Sequence, residues 1–171
     1  MRPLRTRIKI CGFTREVDVD AAVEAGADAL GFNLWRGSAR HVDVSRAAAL
    51  VARLPPFVTP VLLFVNATSG EVAAAVGEVP HALLQFHGDE TPTQCEAAGR
   101  PFLRAARMAE GFDLLDFATH WRAESSLMQA LLLDAHAPGY GGTGKVFDWS
   151  RIPPSVPCPV VLSGGLNPAN V

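Results

Sequence analysis

The strongest constraint on the fold of this chain is a repeated alternation between short apolar runs and longer stretches rich in alanine, glutamate and arginine. Short apolar runs are typical of buried β-strands, and the stretches between them have the apolar spacing of helices. The predicted strands cover residues 7–11, 29–34, 58–65, 82–86, 102–106, 128–133 and 159–162. The predicted helices cover residues 17–25, 43–53, 69–76, 91–98, 112–120 and, briefly, 148–152. Seven strands, each followed by a helix or the start of one, predict an α/β fold with parallel pairing through right-handed crossovers.

Several predicted helix ends have residues suited to that position. Asp43 or Ser45 can cap the second helix, and Thr91 is an N-cap candidate followed by proline in the first turn. Gly26 follows the first helix and suits a left-handed C-cap. Because no long linker or low-complexity segment interrupts the series, residues 1–171 are predicted to form a single domain.

Composition excludes several classes of partner. The net charge of −2 and the lack of a basic stripe argue against nucleic acid. No apolar segment follows the basic N-terminus, which argues against a secretory signal, and the longest apolar runs are too short to span a membrane. The three cysteines are widely separated and form no metal-binding spacing. We therefore expect a reduced, cytoplasmic protein with no metal, no membrane partner and no nucleic-acid partner.

Chemically distinctive residues collect directly after the predicted strands. They are Cys11, the segment 33–40, Asn66, the segment 85–89, Asp134 and the segment 163–165. In a β/α barrel, the carboxyl ends of the strands converge on one face, where the active site is built. A doubly wound sheet would instead concentrate its site at a single crevice. The spread of these residues over at least five strands favours a barrel.

Two glycine-rich loops follow the last two predicted strands. The first has the sequence GYGGTGK at 139–145, and the second has SGGLNP at 163–168. Backbone amides of such loops can surround a phosphate group, and loops after late barrel strands are the usual phosphate site of this fold. The alternative is that the glycines only form turns. The first loop is not a Walker A motif, because GxxxxGK[ST] is not met.

Cys11 and Asp134 are the candidates for proton transfer. A buried carboxyl group can keep its proton and donate it, whereas a free thiol needs assistance to act as a base at neutral pH. Two structural explanations compete with this hypothesis, since an isolated cysteine is most often a small buried apolar group and an aspartate after a strand often caps a turn. Arg36 or Arg40 can bind a carboxylate, although each can equally be a solvated surface residue. His87 is interpreted as a residue of the site wall or one that orders its loop.

The motifs of this chain, taken together, resemble those of the phosphoribosylanthranilate isomerases. They are KICGFT at 9–14, GADALGF at 26–32, SAR at 38–40, FVN at 64–66, LQFHGDE at 84–90, LLD at 132–134, YGGTGKVFDW at 140–149 and LSGGLNP at 162–168. They occur in the order typical of the family over nearly the whole chain. The resemblance implies a (β/α)₈ TIM barrel and an Amadori rearrangement of N-(5-phosphoribosyl)anthranilate in tryptophan biosynthesis, with no cofactor.

The resemblance also implies a role for individual residues. Asp134 matches the general acid, which protonates the furanose ring oxygen and opens the ring to an iminium. Cys11 matches the general base, which removes the proton from sugar C2 and leaves an enolamine that tautomerises to the ketone. Substrate-binding positions are expected at Arg40, for the anthranilate carboxylate, and at Gln85, His87, Gly142, Ser163, Gly164 and Gly165. The partner is then a small phosphoribosyl compound, and the protein is expected to be a monomer or a homodimer.

The chain also departs from the pattern of the family. The eighth β/α unit, whose loop completes the phosphate site, is expected to be missing, since the chain stops at the start of the seventh helix. We therefore expect this chain by itself to be weakly stable, to self-associate and to have severely reduced activity. In the second loop, Trp35, Arg36, Gly37 and Ala39 stand where the family often has an aromatic residue, a proline, and a lysine or proline.

Three alternatives are considered. The histidine-pathway isomerase runs the same rearrangement but would use two aspartates and show a two-fold repeat, whereas this chain has Cys11 after its first strand and no such repeat. Indole-glycerol-phosphate synthase would need a catalytic lysine at an early strand end and a longer N-terminal segment. A non-catalytic protein that binds a phosphorylated sugar would be indifferent to replacement of Cys11 or Asp134.

Overall fold

The structure is a computed structural model that describes residues 5–135, 140 and 146–171. It is an α/β fold in which strands and helices alternate along the chain. Two compact units are present, Met1–Leu84 (unit 1) and Gln85–Val171 (unit 2), with strand β4, Leu83–Phe86, at the boundary. No helix in the described part of the chain has the length and the apolar character that a membrane crossing requires.

Unit 1 consists of three parallel strands and three helices. In chain order they are β1 Lys9–Cys11, α1 Glu16–Glu24, β2 Ala29–Asn33, α2 Val44–Val51, β3 Thr59–Phe64 and α3 Ser69–Glu78. Strand β1 is parallel to β2, and β2 is parallel to β3. The register places Cys11 opposite Gly31 and Asn33 opposite Leu63. The last residues of these strands therefore lie at the same edge of the unit 1 strands.

Strands β2 and β3 of unit 1 are buried because nearly every residue in them is apolar, whereas β1 is partly exposed, with 41% of Ile10 accessible. Leu30, Phe32, Val61 and Leu62 have no exposed surface, and the helices contribute Val19, Ala47, Leu50 and Ala75 to the same core. Continuous apolar runs of this kind are typical of parallel strands that are covered on both faces. The expectation of parallel strands in this half of the chain is confirmed, and burial is confirmed for β2 and β3.

Unit 2 repeats the pattern with α4 Pro92–Glu96, β5 Phe102–Met108, α5 Leu114–Glu124, β6 Met128–Ala135, a 3₁₀ turn at Trp149–Arg151 and β7 Val160–Leu162. Strand β6 is parallel to both β5 and β7. The core of unit 2 contains a cluster of aromatic rings. The ring of Phe102 makes edge contacts with Phe86, at 5.5 Å between centroids, and with Trp121, at 6.2 Å. Such edge-to-face pairs add to the stabilisation from buried apolar area.

The helix ends follow local chemistry. Asp43 caps α2, because its Oδ1 accepts a hydrogen bond from the Arg46 backbone N–H at 2.7 Å. Thr91 is the N-cap of α4, and Pro92 is the first residue of the helix. Gly26 lies just beyond α1 with a φ of +85°, which satisfies the C-cap geometry. These three boundary predictions are confirmed, and Asp43 is the cap among the two candidates for α2.

Several boundaries were predicted wrongly, and the end of α5 differs most, since this helix runs to Glu124 and not to residue 120. Strands β5 and β6 each extend two residues further than their apolar runs, because the pairs Arg107–Asp134 and Met108–Ala135 continue the parallel ladder. Asp134 therefore lies inside β6 and does not follow it. The short helix expected at 148–152 is a 3₁₀ turn, in which Asp148 accepts a hydrogen bond from the Ser150 N–H at 2.9 Å. Three residues allow a single tight turn and no α-helix.

Asp28 connects the starts of the first two strands. Its backbone N–H donates to Ile8 O at 2.8 Å, and its carboxylate accepts from the Ile8 N–H at 2.8 Å and from Arg5 Nη1 at 2.9 Å. The hydrogen bonds from the Arg5 guanidinium and then from the Ile8 N–H lower the pKa of Asp28 from its ordinary 3.8 to about 2. Protonation of this carboxyl group therefore weakens the folded state more than the unfolded state.

We predict that Asp28→Asn reduces the acid sensitivity of the protein. A lowered folded-state pKa contributes stability that is present above the unfolded value of 3.8 and is lost as the pH falls toward about 2. The variant has no carboxylate at this position, so its urea midpoint should fall less between pH 5 and pH 3 than that of the wild type. Replacement of the exposed Glu110 by glutamine is the control and should leave the pH dependence unchanged. Parallel acid curves for the wild type and Asp28→Asn would contradict the assignment.

Candidate active site

Cys11 and Arg40 are adjacent in unit 1. Cys11 is the last residue of β1, and its carbonyl oxygen accepts a hydrogen bond from Arg40 Nη1 at 2.6 Å. The thiol is partly exposed and lies over Gly31 of β2, where an added Cβ would stand only 2.5 Å from Sγ. Gly31 therefore leaves the space that the Cys11 side chain occupies.

Gly12 is required between Cys11 and the loop that follows it. Its φ is +93°, a region that residues with a side chain rarely adopt, and a Cβ at this position would collide with the Arg40 guanidinium. The chain can therefore turn away after β1 while Arg40 approaches the strand end. Two of the residues predicted from the sequence, Cys11 and Arg40, are brought together in this way.

A cavity of about 310 Å³ lies elsewhere in unit 1, and it was not predicted from the sequence. It opens between the loops after β2 and β3. Its lining residues are Leu34, Trp35, Arg36, His41, Val42, Asp43, Val44, Phe64, Val65, Asn66, Ala67, Glu71 and Ala74. Arg36 belongs to this cavity, whereas Cys11 and Arg40 do not line it. The two arginines of the second loop thus have different surroundings.

Three buried polar side chains of unit 2 form a line that ends at Asp134. Gln85 Nε2 lies 3.0 Å from His87 Nδ1, and His87 Nε2 lies 3.1 Å from Asp134 Oδ2. The exposed fractions are 1% for Gln85, 6% for His87 and 6% for Asp134. Polar groups so far from water need hydrogen-bond partners, and each of the three has at least one in this line.

The other oxygen of Asp134 faces the loop after β7. Oδ1 accepts a hydrogen bond from the Ala135 N–H at 3.0 Å. Gly164 has a φ of +79°, and a Cβ there would lie 2.6 Å from Asp134 Oδ1 and 2.7 Å from Ala135 N. The adjacent Ser163 N–H donates to Leu133 O at 2.9 Å. The backbone of the loop after β7 is therefore packed directly against the carboxyl group.

The rest of this loop is also ordered by hydrogen bonds. Gly165 O accepts from the side-chain amides of Asn167 at 3.2 Å and Asn170 at 3.1 Å. The fold therefore brings Gly164 next to Asp134 and Ser163 next to Leu133, as expected for residues after neighbouring strands, whereas Gly165 contacts the asparagines that follow it. Gly142, the other predicted phosphate-binding residue, lies outside the described residues.

A buried ion pair supports the loop that carries His87, and sequence reasoning missed it. Arg104 of β5 donates from Nη1 to Glu90 Oε2 and to Phe86 O, both at 3.1 Å, and from Nη2 to Gly88 O at 3.0 Å. Glu90 Oε2 also accepts from the Gly88 N–H at 2.9 Å. Burial lowers the pKa of Arg104, and the charge of Glu90 opposes that effect. The available signal was Arg104, a charged residue within the apolar run predicted at 102–106.

The exposed side of the same loop has a second arginine contact. Arg107 pairs with Asp89, and the Tyr140 hydroxyl donates to Asp89 Oδ2 at 2.7 Å. The Arg107 guanidinium also lies 5.1 Å from the centre of the Tyr140 ring, within the range of a cation–π interaction. In the described part of the chain, no group of three or more His, Cys, Asp or Glu side chains has the arrangement of a metal site.

A partly exposed thiol and a buried carboxyl group, each near the carboxyl end of a parallel strand, are features of β/α enzymes. Residues 8–171 match the family model described as N-(5'-phosphoribosyl)anthranilate (PRA) isomerase. The chain is 64% identical over 171 residues to the N-(5'-phosphoribosyl)anthranilate isomerase of Leptothrix cholodnii, covering all of this chain and 76% of that protein.

Solved structures give the same result. The crystal structure of the phosphoribosyl anthranilate isomerase from Thermus thermophilus superimposes with a TM-score of 0.82 at 35% identity, over 96% of this chain and 80% of that one. Another, crystallised with reduced 1-(o-carboxyphenylamino)-1-deoxyribulose 5-phosphate, has a TM-score of 0.75 at 29% identity, over 97% and 79% of the chains. The chain belongs to the N-(5'-phosphoribosyl)anthranilate isomerase family. The resemblance found in its motifs is thereby confirmed.

We predict that Gly164→Ala destabilises the protein more than Gly111→Ala. Both glycines have a positive φ, +79° and +72°, but an added Cβ at Gly111 meets nothing within 4 Å. The left-handed conformation alone should cost Gly111→Ala about 1 kcal/mol of unfolding free energy. At Gly164 the collision with Asp134 and Ala135 should add roughly 1–3 kcal/mol, measured by urea unfolding. Equal losses in the two variants would mean that the loop after β7 can move away from Asp134.

Proposed function

We propose that this chain catalyses the isomerisation of N-(5'-phosphoribosyl)anthranilate in tryptophan biosynthesis, with Asp134 as the general acid and Cys11 as the general base. The reaction converts an aminoaldose into the corresponding aminoketose. The observation that carries the assignment of the acid is the buried Asp134 carboxyl group, which has hydrogen-bond partners on both oxygens, in a member of this isomerase family.

Asp134 is suited to give a proton to the furanose ring oxygen. Its proton transfer leaves a negative charge on the carboxylate, where the Ala135 N–H already points at Oδ1 and the His87 ring lies against Oδ2. Groups placed in advance where charge develops lower the barrier, because they need no rearrangement during the reaction. Ring opening then gives the iminium form of the substrate.

Cys11 is suited to remove the proton from sugar C2. The iminium nitrogen withdraws electrons from the neighbouring carbon and makes its C–H bond acidic, so a modest base is sufficient. The thiol is partly exposed at the end of β1, and Gly31 leaves it room. The enolamine that results tautomerises to the ketone, and the reaction needs no electron acceptor because substrate and product are isomers.

The remaining predicted residues are proposed to bind the substrate, except Gln85, whose amide lies against His87. Arg40 would hold the anthranilate carboxylate, for which a guanidinium offers two parallel donors. Backbone of Ser163, Gly164 and Gly165, together with Gly142, would bind the phosphate, and His87 would lie in the wall of the site. The solved relative with a bound carboxyphenylamino-deoxyribulose phosphate supports this class of ligand.

Several broader expectations remain proposals. The parallel strands of each unit and the likeness to relatives of which the chain covers 76–80% support an eight-stranded β/α barrel with one β/α unit outside this chain. A single domain, a cytoplasmic location, and a monomeric or homodimeric state also stay predictions. So do weak stability, self-association and reduced activity of this chain by itself.

We predict that Cys11→Ser and Asp134→Asn each reduce turnover by about 100- to 10,000-fold, the usual contribution of a general acid or base. The measurement is the loss of fluorescence of freshly generated phosphoribosylanthranilate, with protein purified from a host that lacks its own isomerase. Cys158→Ser is the matched control for the first variant, since Cys158 follows the 3₁₀ turn and is assigned no role. Unchanged turnover in both variants would contradict the assigned acid and base, whereas a folded wild type without turnover would favour a protein that only binds a phosphorylated sugar.

We predict that Arg40→Lys raises KM more than it lowers kcat. Lysine keeps the positive charge but loses the second parallel donor, so the ground state and the transition state should lose the same contact. A KM increase of about 10-fold is expected from one charge-assisted hydrogen bond. Arg36→Lys in the same loop is the control and should have a smaller effect, because Arg36 lines the separate cavity of unit 1. Equal effects would contradict the assignment of Arg40.

A further inference from the structure

Gln85 occupies an unusual position behind His87. Its side chain is 1% exposed, and its described hydrogen bond runs from Nε2 to His87 Nδ1 at 3.0 Å. The amide oxygen, Oε1, is buried without a hydrogen-bond partner among the described residues. A buried unpaired carbonyl oxygen is destabilising, so an apolar side chain of the same size would suit the packing better. Packing alone therefore does not explain why residue 85 is an amide.

The amide nitrogen restricts where His87 can hold its proton. An amide N–H₂ group only donates hydrogen bonds, so with Nε2 of Gln85 against the ring the favourable arrangement is one in which His87 Nδ1 accepts. A neutral imidazole then has its proton on Nε2. Because Nε2 lies 3.1 Å from Asp134 Oδ2, this proton is directed at the carboxyl group. The direction of both hydrogen bonds, from Gln85 to His87 and from His87 to Asp134, therefore depends on the amide of Gln85.

We propose that Gln85 is a positioning residue that holds His87 in its Nε2–H tautomer, so that His87 donates a hydrogen bond to Asp134. The proposal rests on the assignment of Asp134 as the general acid. With the Ala135 N–H on Oδ1, the carboxylate that forms during proton transfer then has a donor on each oxygen. This stabilisation grows as the charge develops, so it acts on kcat more than on substrate binding.

Arg104 and Glu90 hold the backbone on which this line depends. Arg104 donates to the carbonyl oxygens of Phe86 and Gly88, the residues on either side of His87. The ring of His87 is therefore restrained through its own backbone, and the amide of Gln85 sets the protonation of the ring. Neither Gln85 nor Arg104 needs to contact the substrate in this arrangement.

Two replacements of Gln85 separate the proposed role from packing. In Gln85→Met the shape is similar, but Nδ1 loses its donor and the unpaired oxygen is removed. In Gln85→Glu the size is nearly the same, but a carboxylate accepts from Nδ1 and so draws the proton to that nitrogen. Gln129→Glu is the control, because Gln129 is exposed on β6 and its amide bonds to Leu127 O.

The experiment combines nitrogen NMR with kinetics. In protein labelled with ¹⁵N-histidine, His87 is assigned from the signal that disappears in His87→Gln, and its tautomer is determined near neutral pH. We expect the Nε2–H form in the wild type and protonation of Nδ1 in Gln85→Glu. Turnover should fall by about 10- to 100-fold in kcat for Gln85→Met, the contribution of a hydrogen bond to a charged group, with KM changed by less than about three-fold.

The urea midpoint of Gln85→Met should stay close to that of the wild type, because removal of the unpaired Oε1 offsets the loss of the donor to His87 Nδ1. An unchanged midpoint excludes a loss of activity through unfolding. A wild-type His87 with a proton on Nδ1, alone or together with Nε2, would overturn the proposal. So would an unchanged kcat in Gln85→Met, or a loss of kcat matched by loss of stability. Failure of the assigned acid is distinguishable, because Asp134→Asn would then retain turnover while the tautomer of His87 could still be determined.

Discussion

A carboxyl group buried near the end of a strand requires hydrogen-bond donors. In unit 2, the residues packed around Asp134 supply them. Removing a carboxylate from water is unfavourable unless other groups replace the lost hydration. Here the Ala135 N–H and the His87 ring take that place, and the backbone of Gly164 closes over the same side. Burial of this carboxyl group is unfavourable for folding. The site is nevertheless suited to transferring a proton, because its donors are already in position.

The buried ion pair of Arg104 and Glu90 supports the loop next to Asp134. Arg104 lies in β5 with its guanidinium 4.8 Å from the centre of the Trp121 ring, and it binds Glu90 and the carbonyl oxygens on both sides of His87. A buried ion pair is weak support for stability alone, since desolvation offsets much of its attraction. Its benefit here is geometric, because the loop that carries His87 is held by side-chain contacts from a neighbouring strand.

In unit 1, glycines make room for Cys11 and Arg40. A thiol needs little solvation, so Cys11 requires only space, which the absence of a side chain at Gly31 provides. Arg40 reaches the same strand end because Gly12 can adopt a φ of +93°. The motif that contains Cys11 and Gly12 is therefore short and local, which is why it could be recognised without a structure. The buried network of unit 2 draws on residues from three strands and could not.

The linear sequence by itself determined the class of fold, the order of the strands and helices, the caps at Asp43 and Thr91, and the candidates Cys11, Asp134 and Arg40. These follow from local periodicity, from the turn chemistry of single residues and from motifs a few residues long. Only the tertiary structure decided that β6 continues through Asp134, that Gln85 lies behind His87, and that Arg104 pairs with Glu90. Strand ends depend on the length of the neighbouring ladder, and buried polar pairs depend on contacts between residues far apart in the chain. Neither is encoded in the local pattern that a sequence displays.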